Sequence, residues 1–296
     1  MRLLIVDGNT IAYRSAIISA LSNRFGERTE VLYGSLRILT KLVKDFKDSV
    51  IIVTWDAKGG SRYRKELFKE YKGNRVRSEE SYQIYINVFI PQLNLLKLAL
   101  GYLGVPQLEV SGLEADDLIA ILTKKFKSKM EVVIVSVDKD LISLVGGNVS
   151  FYASVEKKLY TEKDVFEKYK VDPENWVKMK ILVGDKSDNV PAVVSKIGLK
   201  KIREEAELSI NELSHKYGLV VEDRYKLFKL IDDINDSRLN DNERQLSLSK
   251  MEKMKEVEFN RQQFVDQIML RYEFKDGSII DVFEDLYKRM KSAALW

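Results

Sequence analysis

Three short apolar runs, each followed by an aspartate, constrain the fold of this chain more than any other feature of its sequence. They are residues 3–6 with Asp7, residues 50–55 with Asp56, and residues 132–137 with Asp138. Buried runs of Val, Ile and Leu that are separated by helices predict the strands of a mainly parallel sheet in an α/β fold. Ligands of open α/β sheets bind beyond the carboxyl ends of the strands, so we expect the three aspartates at one edge. Any one of them alone would be interpreted as a turn former or a helix cap.

Helical patterns fill the segments around these strands. Residues 11–21 and 32–46 carry apolar side chains at helical spacing. Residues 57–105 form an insertion between two strands, basic at its start and amphipathic over 82–103. The insertion is therefore predicted to stand apart from the regular alternation of strand and helix.

The second half of the chain has a different character. Residues 172–203 show short helical patterns joined by tight turns, and the remainder is helical and highly charged with no motif typical of a site. We therefore predict an α/β core over residues 1–170, which includes the insertion, and a helical C-terminal region over residues 171–296.

Composition places the chain in a broad class. Its 296 residues are 45% hydrophobic and 32% charged, which is typical of a globular protein with a charged surface. No apolar run approaches ~20 residues, so we expect no membrane span. The apolar run at the N-terminus is too short for a secretory signal. The protein is expected to stay inside the cell that makes it.

The chain contains no cysteine and one histidine, His215. Thiol nucleophiles, thiolate zinc sites and two-histidine metal sites are therefore excluded, and a His-based triad is disfavoured. Hydrolytic chemistry in this chain would have to come from carboxylates, hydroxyls, lysines or metals held by oxygen.

A dense basic stretch covers residues 57–77. Such a density of positive charge is the feature expected for a phosphate-backbone partner, although a solvated helix face is the alternative. The net charge of +4 is too small to decide between them. The eight basic residues are Lys58, Arg62, Arg64, Lys65, Lys69, Lys72, Arg75 and Arg77.

Further acids join the aspartates that follow the strands. Ser111 precedes Glu114 by three residues, so a capping box is the structural interpretation of Glu114. Asp185 and Asp188 are three apart, on one helical turn or across a tight turn. The full acidic set is Asp7, Asp56, Glu114, Asp116, Asp117, Asp138, Asp140, Asp185 and Asp188.

Convergence of these acids would require cations. Two like charges ~4 Å apart repel by about 4 kcal/mol at an effective dielectric constant near 20. Ligands that are all oxygen favour Mg²⁺, with Mn²⁺ able to replace it, over Zn²⁺. Two such ions are a known arrangement for in-line phosphodiester hydrolysis.

Six segments of the chain resemble one family, and they occur in the family's order. The chain is similar to the flap endonuclease or 5′→3′ exonuclease family, above all to the stand-alone bacteriophage enzymes and the 5′-nuclease domain of bacterial DNA polymerase I. Each segment alone is a weak signal, but six in the family's order are specific, and they span residues 1 to about 205. The segments are IVDGN at 5–9, WD at 55–56, YKGNR at 71–75, GLEADD at 112–117, SVDKDL at 136–141 and GDKSDNVP at 184–191.

The resemblance implies a PIN-like fold: a mainly parallel sheet flanked by helices, a helical arch at about 57–105, and a helix–three-turn–helix DNA-binding element at about 172–205. It also implies two metal regions, with Asp117 either supporting the ligands or shared between the regions. The first would be surrounded by Asp7, Asp56, Glu114, Asp116 and Asp138, and the second by Asp140, Asp185 and Asp188.

The resemblance further assigns contacts with nucleic acid. Lys72 would contact the scissile phosphate at the base of the arch, Arg75 would lie beside it, and Tyr71 would stack on a terminal base. Arg62 in the basic stretch, and Lys196, Lys200 and Lys201 beyond the turns, are expected to contact phosphate. The turn element departs from the family pattern because glycines before Gly198 are missing, which argues against a K⁺ site there.

These features predict a two-metal, structure-specific 5′ nuclease that leaves a 5′-phosphate and a 3′-hydroxyl. Two alternatives stay open, a PIN-like RNase and a non-catalytic protein that binds branched DNA. An aspartyl phosphatase is disfavoured because Asn9 stands where a second aspartate is required. Nucleotide-binding enzymes are disfavoured because the sequence contains neither a Walker loop nor a Gly-x-Gly-x-x-Gly turn.

The expected partners are DNA with 5′ flaps, nicks or free 5′ ends, with RNA–DNA hybrids left open. We expect a monomer in the cytoplasm of a bacterial or phage-infected cell, in contact with replication proteins in replication or repair.

Overall fold

A computed structural model describes residues 1–18, 21–75, 78–195 and 198–293 of the chain. At its centre lies a six-stranded sheet, in the order β3-β2-β1-β4-β5-β6. All neighbouring strands are parallel except β5 and β6, which are antiparallel. The strands are β1 Arg2–Asp7, β2 Ser49–Thr54, β3 Gln107–Leu108, β4 Glu131–Ser136, β5 Val149–Ala153 and β6 Lys158–Tyr160.

The three predicted strands form the middle of this sheet. Leu3 of β1 pairs with Val50 of β2 on one side and with Val132 of β4 on the other. Side chains on both faces of these strands are buried, which explains their continuous apolar sequence. Because the three strands are parallel and in register, their carboxyl ends lie side by side.

Fourteen helices are found in the described residues. Helix α6 packs against β1, β2 and β4, while α2 and α14 pack against β2 and against each other. Their bounds are α1 Gly8–Ile18, α2 Glu30–Asp45, α3 Arg62–Leu67, α4 Glu79–Ile84, α5 Ile90–Tyr102, α6 Ala115–Phe126, α7 Glu162–Tyr169, α8 Trp176–Val183, α9 Leu199–Ala206, α10 Ile210–Tyr217, α11 Val220–Phe228, α12 Asp241–Lys253, α13 Arg261–Phe264 and α14 Ser278–Ser292.

The insertion between β2 and β3 is helical. A π-helical turn, Tyr85–Phe89, joins α4 to α5 in one continuous run. The first half of the run exposes Tyr82 and Ile84, whereas the second half buries Leu96 and Leu100 in the core. By length and composition this run would also pass for a membrane span, contrary to the expectation from sequence. That property is weak evidence, because core helices share it.

The helical C-terminal region is not one body. Helices α8 to α11 enclose a small apolar core that includes Ile181, Leu213 and Phe228. From Leu230 onward the buried side chains, such as Phe283, instead belong to the main core around the sheet. The predicted helical region over residues 171–296 therefore contributes to two apolar cores, and the apolar side chains of its second half, from Leu230 onward, are buried in the main core.

Candidate metal centre

The carboxyl ends of the central strands carry the first acids. Asp7, the last residue of β1, is buried and accepts hydrogen bonds from the Thr10 amide at 3.0 Å and the Ser136 hydroxyl at 2.8 Å. Asp56 follows β2 by two residues and accepts a hydrogen bond from the Ala115 amide at 2.8 Å. These contacts join the end of β1 to the end of β4, and the segment after β2 to the start of α6.

Asp116 shows that these acids converge. Its pKa is raised well above the ordinary value, first by burial and then by the negative charges of Asp138, Asp7, Asp56 and Glu114. The carboxylates of four other acids therefore lie near enough to Asp116 to act on its charge. Their role as ligands of the first metal region stays a prediction.

A second acidic cluster lies beside the first. One carboxylate oxygen from each of Asp140, Asp185 and Asp188 lies within 4.8 Å of the other two. The last two belong to a tight turn after α8, in which the Asp185 carboxylate accepts hydrogen bonds from the Ser187 amide at 2.7 Å and the Asp188 amide at 3.2 Å. Asp138 connects the two groups, since its pKa is raised first by burial and also by the charges of Asp188 and Asp7.

A buried lysine that the sequence did not single out enters the second cluster. The Lys180 ammonium on α8 donates to Asp140 and forms an ion pair with Asp185 at 2.6 Å. Burial by itself would raise the pKa of Asp185, but the contacts with Lys180 and Ser187 have the larger effect and lower that pKa to about 2. Burial likewise opposes the charge of Lys180, and the two aspartates raise its pKa.

Arg64 is a second unexpected cation. Arg64 belongs to the basic stretch that is expected to face a phosphate backbone, but its side chain is buried and points inward. It pairs with both oxygens of Asp117, each at 2.8 Å, and with Glu114 at 2.7 Å. Asp117 also accepts a hydrogen bond from the Ile231 amide at 2.9 Å. Of the two roles expected for Asp117, this geometry favours support of the neighbouring acids over direct metal ligation.

The capping box expected at Ser111 is absent. Glu114 begins α6 without a hydrogen bond from its side chain to the helix, and the Ser111 hydroxyl contacts the Lys58 carbonyl oxygen at 3.4 Å. Glu114 instead pairs with cations, because its carboxylate faces Lys72 and Arg64.

Lys72 and Arg75 border the acids from the insertion. Lys72 lies in a turn at φ +57°. Its ammonium donates a hydrogen bond to the Glu114 carboxylate at 2.7 Å, and its backbone amide donates one to the Asp188 carbonyl oxygen at 2.9 Å. Arg75 donates to the Asp188 carboxylate at 2.9 Å. These contacts place both residues at the edge of the acidic set and fix the turn that carries them against residues 185–190. Their contact with a phosphate stays a prediction.

The other expected nucleic-acid contacts have different outcomes. Tyr71 exposes 4% of its surface and packs in the small C-terminal core, so the prediction that it stacks on a base is wrong. Arg62 remains half exposed but pairs with Glu243 at 2.7 Å. Lys200 and Lys201 are exposed on α9, and their contact with phosphate stays a prediction. Arg77 and Lys196 lie outside the described residues.

Comparison with known proteins agrees with this arrangement. Residues 2–170 match the family model described as the 5′-3′ exonuclease N-terminal resolvase-like domain. The chain belongs to the 5′-3′ exonuclease family. The resemblance seen in six short segments is thereby confirmed, and this exonuclease-family chain carries the acidic set within and just beyond the matched domain.

Relatives of this family member include whole polymerases and shorter enzymes. The chain is 39% identical over 193 residues to a thermostable DNA polymerase I of Thermus filiformis, covering 65% of the chain and 22% of that protein. It is 37% identical over 193 residues to a 5′-3′ exonuclease of Aquifex aeolicus, covering 64% of the chain and 64% of that protein. The chain thus spans under two thirds of the length of either relative.

The fold has a counterpart among solved structures. The flap endonuclease D15 of bacteriophage T5, in a complex with DNA and metal ions, aligns with a TM-score of 0.55 at 21% identity, covering 98% of this chain and all of that one. At this identity the likeness concerns the fold alone. It confirms the predicted class, a mostly parallel sheet flanked by helices.

Proposed function

We propose that this protein is a metal-dependent 5′ nuclease that hydrolyses phosphodiester bonds in DNA. The observation that carries the proposal is the cluster of Asp140, Asp185 and Asp188, whose carboxylate oxygens lie within 4.8 Å of one another beside the acids at the carboxyl edge of the sheet. Lys72 and Arg75 stand beside that edge with cationic groups suited to phosphate. Family membership supports the same chemistry.

The residues present fit divalent cations. Every donor in the two clusters is an oxygen atom, the ligand type that Mg²⁺ and Mn²⁺ prefer. Burial and the charges of the neighbouring acids raise the pKa of Asp116, and a bound cation would relieve that repulsion. We assign one ion to the acids around Asp116 and a second to the cluster of Asp140, Asp185 and Asp188. Such ions lower the pKa of water and offset charge on a phosphoryl group.

The side chains of the protein would orient the substrate. Lys72 reaches the acidic set from the turn of the insertion, so its ammonium can offer hydrogen bonds to a phosphate that enters there. Arg75 has a half-exposed guanidinium 2.9 Å from Asp188 and can hold an adjacent phosphate oxygen. No side chain needs to act as a nucleophile, which agrees with the absence of cysteine.

The substrates proposed are DNA molecules with 5′ flaps, nicks or free 5′ ends. Helices α8 and α9 are in contact and are joined by the turn that carries Asp185. Lys200 and Lys201 on α9 are exposed and can approach a duplex backbone. The name of the phage relative, a flap endonuclease, supports this choice of substrate.

A cleavage assay tests the proposal. Substrates labelled at the 5′ end, namely 5′-flap DNA, nicked DNA, blunt DNA and single-stranded RNA, are incubated with Mg²⁺, with Mn²⁺ or with chelator. We expect cleavage of flap or nicked DNA that chelator abolishes and that Asp138→Asn removes. Preferred cleavage of RNA would support an RNase instead, and tight binding to flap DNA without cleavage in either metal would identify a non-catalytic binder.

A further inference from the structure

The two acidic clusters differ in how their charge is balanced. Of the five acids of the first cluster, Glu114 pairs with Lys72 and Arg64. In the part of the chain that the structure describes, no salt bridge reaches the other four, Asp7, Asp56, Asp116 and Asp138. In the second cluster, by contrast, each acid already has a cationic partner: Lys180 for Asp140 and Asp185, and Arg75 for Asp188. Four acids of the first cluster are therefore open to added cations, whereas every acid of the second cluster already has a cation beside it.

Lys180 is held firmly in this position. Its side chain is 8% exposed, and its ammonium lies 4.5 Å from the centroid of the Phe228 ring on α11. An ammonium enclosed by an aromatic face and two carboxylates loses its hydration and relies on those partners. The cluster therefore contains a protein cation in direct contact with two of its three possible metal ligands.

We propose that Lys180 is a built-in counter-ion that holds Asp140 and Asp185 together in the cation-free protein and weakens the affinity of the second cluster for a divalent ion. The inference rests on the proposed binding of an ion by this cluster. A divalent ion at Asp140, Asp185 and Asp188 must share these carboxylates with the ammonium or displace it. Repulsion between the two cations, and the loss of the ion pairs, then oppose binding. Lys180 is a positioning residue, since it acts through the acids.

Titration of Mn²⁺ followed by electron paramagnetic resonance tests this role without measuring activity. Lys180→Met removes the charge and keeps the length of the side chain. We expect two Mn²⁺ sites in the wild type and about tenfold tighter binding at the weaker site in Lys180→Met. Lys178→Met is the matched control, because Lys178 lies on the same helix but donates to the Leu208 carbonyl oxygen at 3.0 Å. It should leave both affinities unchanged, and Lys180→Arg, which restores the charge, should return the weaker site toward its wild-type affinity.

Thermal unfolding of the same proteins provides the second readout. In chelator, Lys180→Met should melt below the wild type, because the acids lose their counter-ion, and Mn²⁺ should narrow the difference. Should that variant fail to fold, Lys180→Gln is used in the same titration. Unchanged or weaker Mn²⁺ binding at the weaker site of the charge-removing variant would overturn the role of Lys180. A single Mn²⁺ site in every protein, including the wild type, would overturn both this role and the proposed ion at the second cluster.

Discussion

Arg64 and Asp117 form a buried, two-pronged ion pair directly behind the acidic cluster, with both nitrogen–oxygen distances at 2.8 Å. The same guanidinium also reaches Glu114 at 2.7 Å. A cation supplied by the insertion thus fixes the start of α6, and with it the backbone that carries Asp116 between Glu114 and Asp117.

Arg64→Met should destabilise the protein strongly. The substitution leaves Asp117 and Glu114 buried without their cation, and breaking a buried pair in this way costs about 3–5 kcal/mol. Urea unfolding in the presence of Mg²⁺ measures the change in the free energy of unfolding. Lys65→Met, at the exposed neighbouring position, is the control and should change it by less than about 0.5 kcal/mol. A loss as small for Arg64→Met would refute the structural role of the pair.

Asp116→Asn and Asp117→Asn should have opposite effects on stability. Asp116 is surrounded by like charges, so neutralising it should raise the free energy of unfolding in chelator by about 1 kcal/mol. Asp117 is paired with Arg64, so its neutralisation should lower that free energy by about 3–5 kcal/mol. Urea unfolding in chelator distinguishes them, and a destabilised Asp116→Asn protein would contradict the convergence of the acids. Cleavage should fall at least about a hundredfold in Asp116→Asn.

The stability of the cation-free protein should decrease as the pH rises. Burial is the first cause that raises the pKa values of Asp7, Asp116 and Asp138 in the folded state. A raised folded pKa contributes stability that is complete below the unfolded value, 3.8, and is lost as the pH passes through the folded value. We therefore expect the free energy of unfolding in chelator to fall as the pH rises above about 4, because the folded state then binds more protons than the unfolded state.

Urea unfolding at several pH values, with chelator or with Mg²⁺, measures this dependence. Mg²⁺ should reduce the loss at pH 7, since it replaces the protons, and Asp116→Asn should make the decline in chelator shallower. Asp185 has a pKa lowered to about 2, so its contribution is lost only in stronger acid and does not reverse the trend. Stability that rises with pH in chelator would show that the carboxylates are not crowded.

Lys72→Met should reduce the rate of cleavage more than the affinity for DNA. The ammonium borders the acidic set, and loss of one charged donor at a reacting phosphate lowers kcat by about 10²–10³-fold. Single-turnover cleavage of 5′-flap DNA measures the rate, and binding in Ca²⁺ measures the affinity. Lys69→Met, an exposed lysine of the same basic stretch, should cleave at nearly the wild-type rate. Equal effects of the two substitutions would assign Lys72 to general attraction of DNA.

The sequence predicted the site better than its surroundings. The aspartates that follow the three central strands could be placed at one edge of the sheet, because the carboxyl ends of parallel strands all lie at the same edge. The strands β3 and β6 escaped prediction because two or three residues carry no periodic pattern. Strand β5 was missed although its five residues alternate between buried and partly buried side chains, a pattern typical of a strand.

Buried cations were beyond the reach of the sequence. Lysine and arginine are usually exposed, so Lys180 and Arg64 carried no signal of burial, and only the fold shows the acids that hold them. The prediction for Tyr71 failed because this side chain was expected to be exposed but is buried. Its neighbours in sequence are polar, but the turn that carries it docks on α8 and α11, where its ring fills an apolar space.

The hydrogen bond from the Ile231 amide to Asp117 has a consequence for dissecting this chain. Polypeptide that lies far downstream of the six family segments supplies a donor to the base of α6, and it also supplies Phe264 and Phe283, which are buried against the sheet. A version shortened to residue 205 would keep every acid of the site yet lack part of the interior that holds those acids in place. Such a fragment is expected to collapse and aggregate instead of yielding a minimal enzyme.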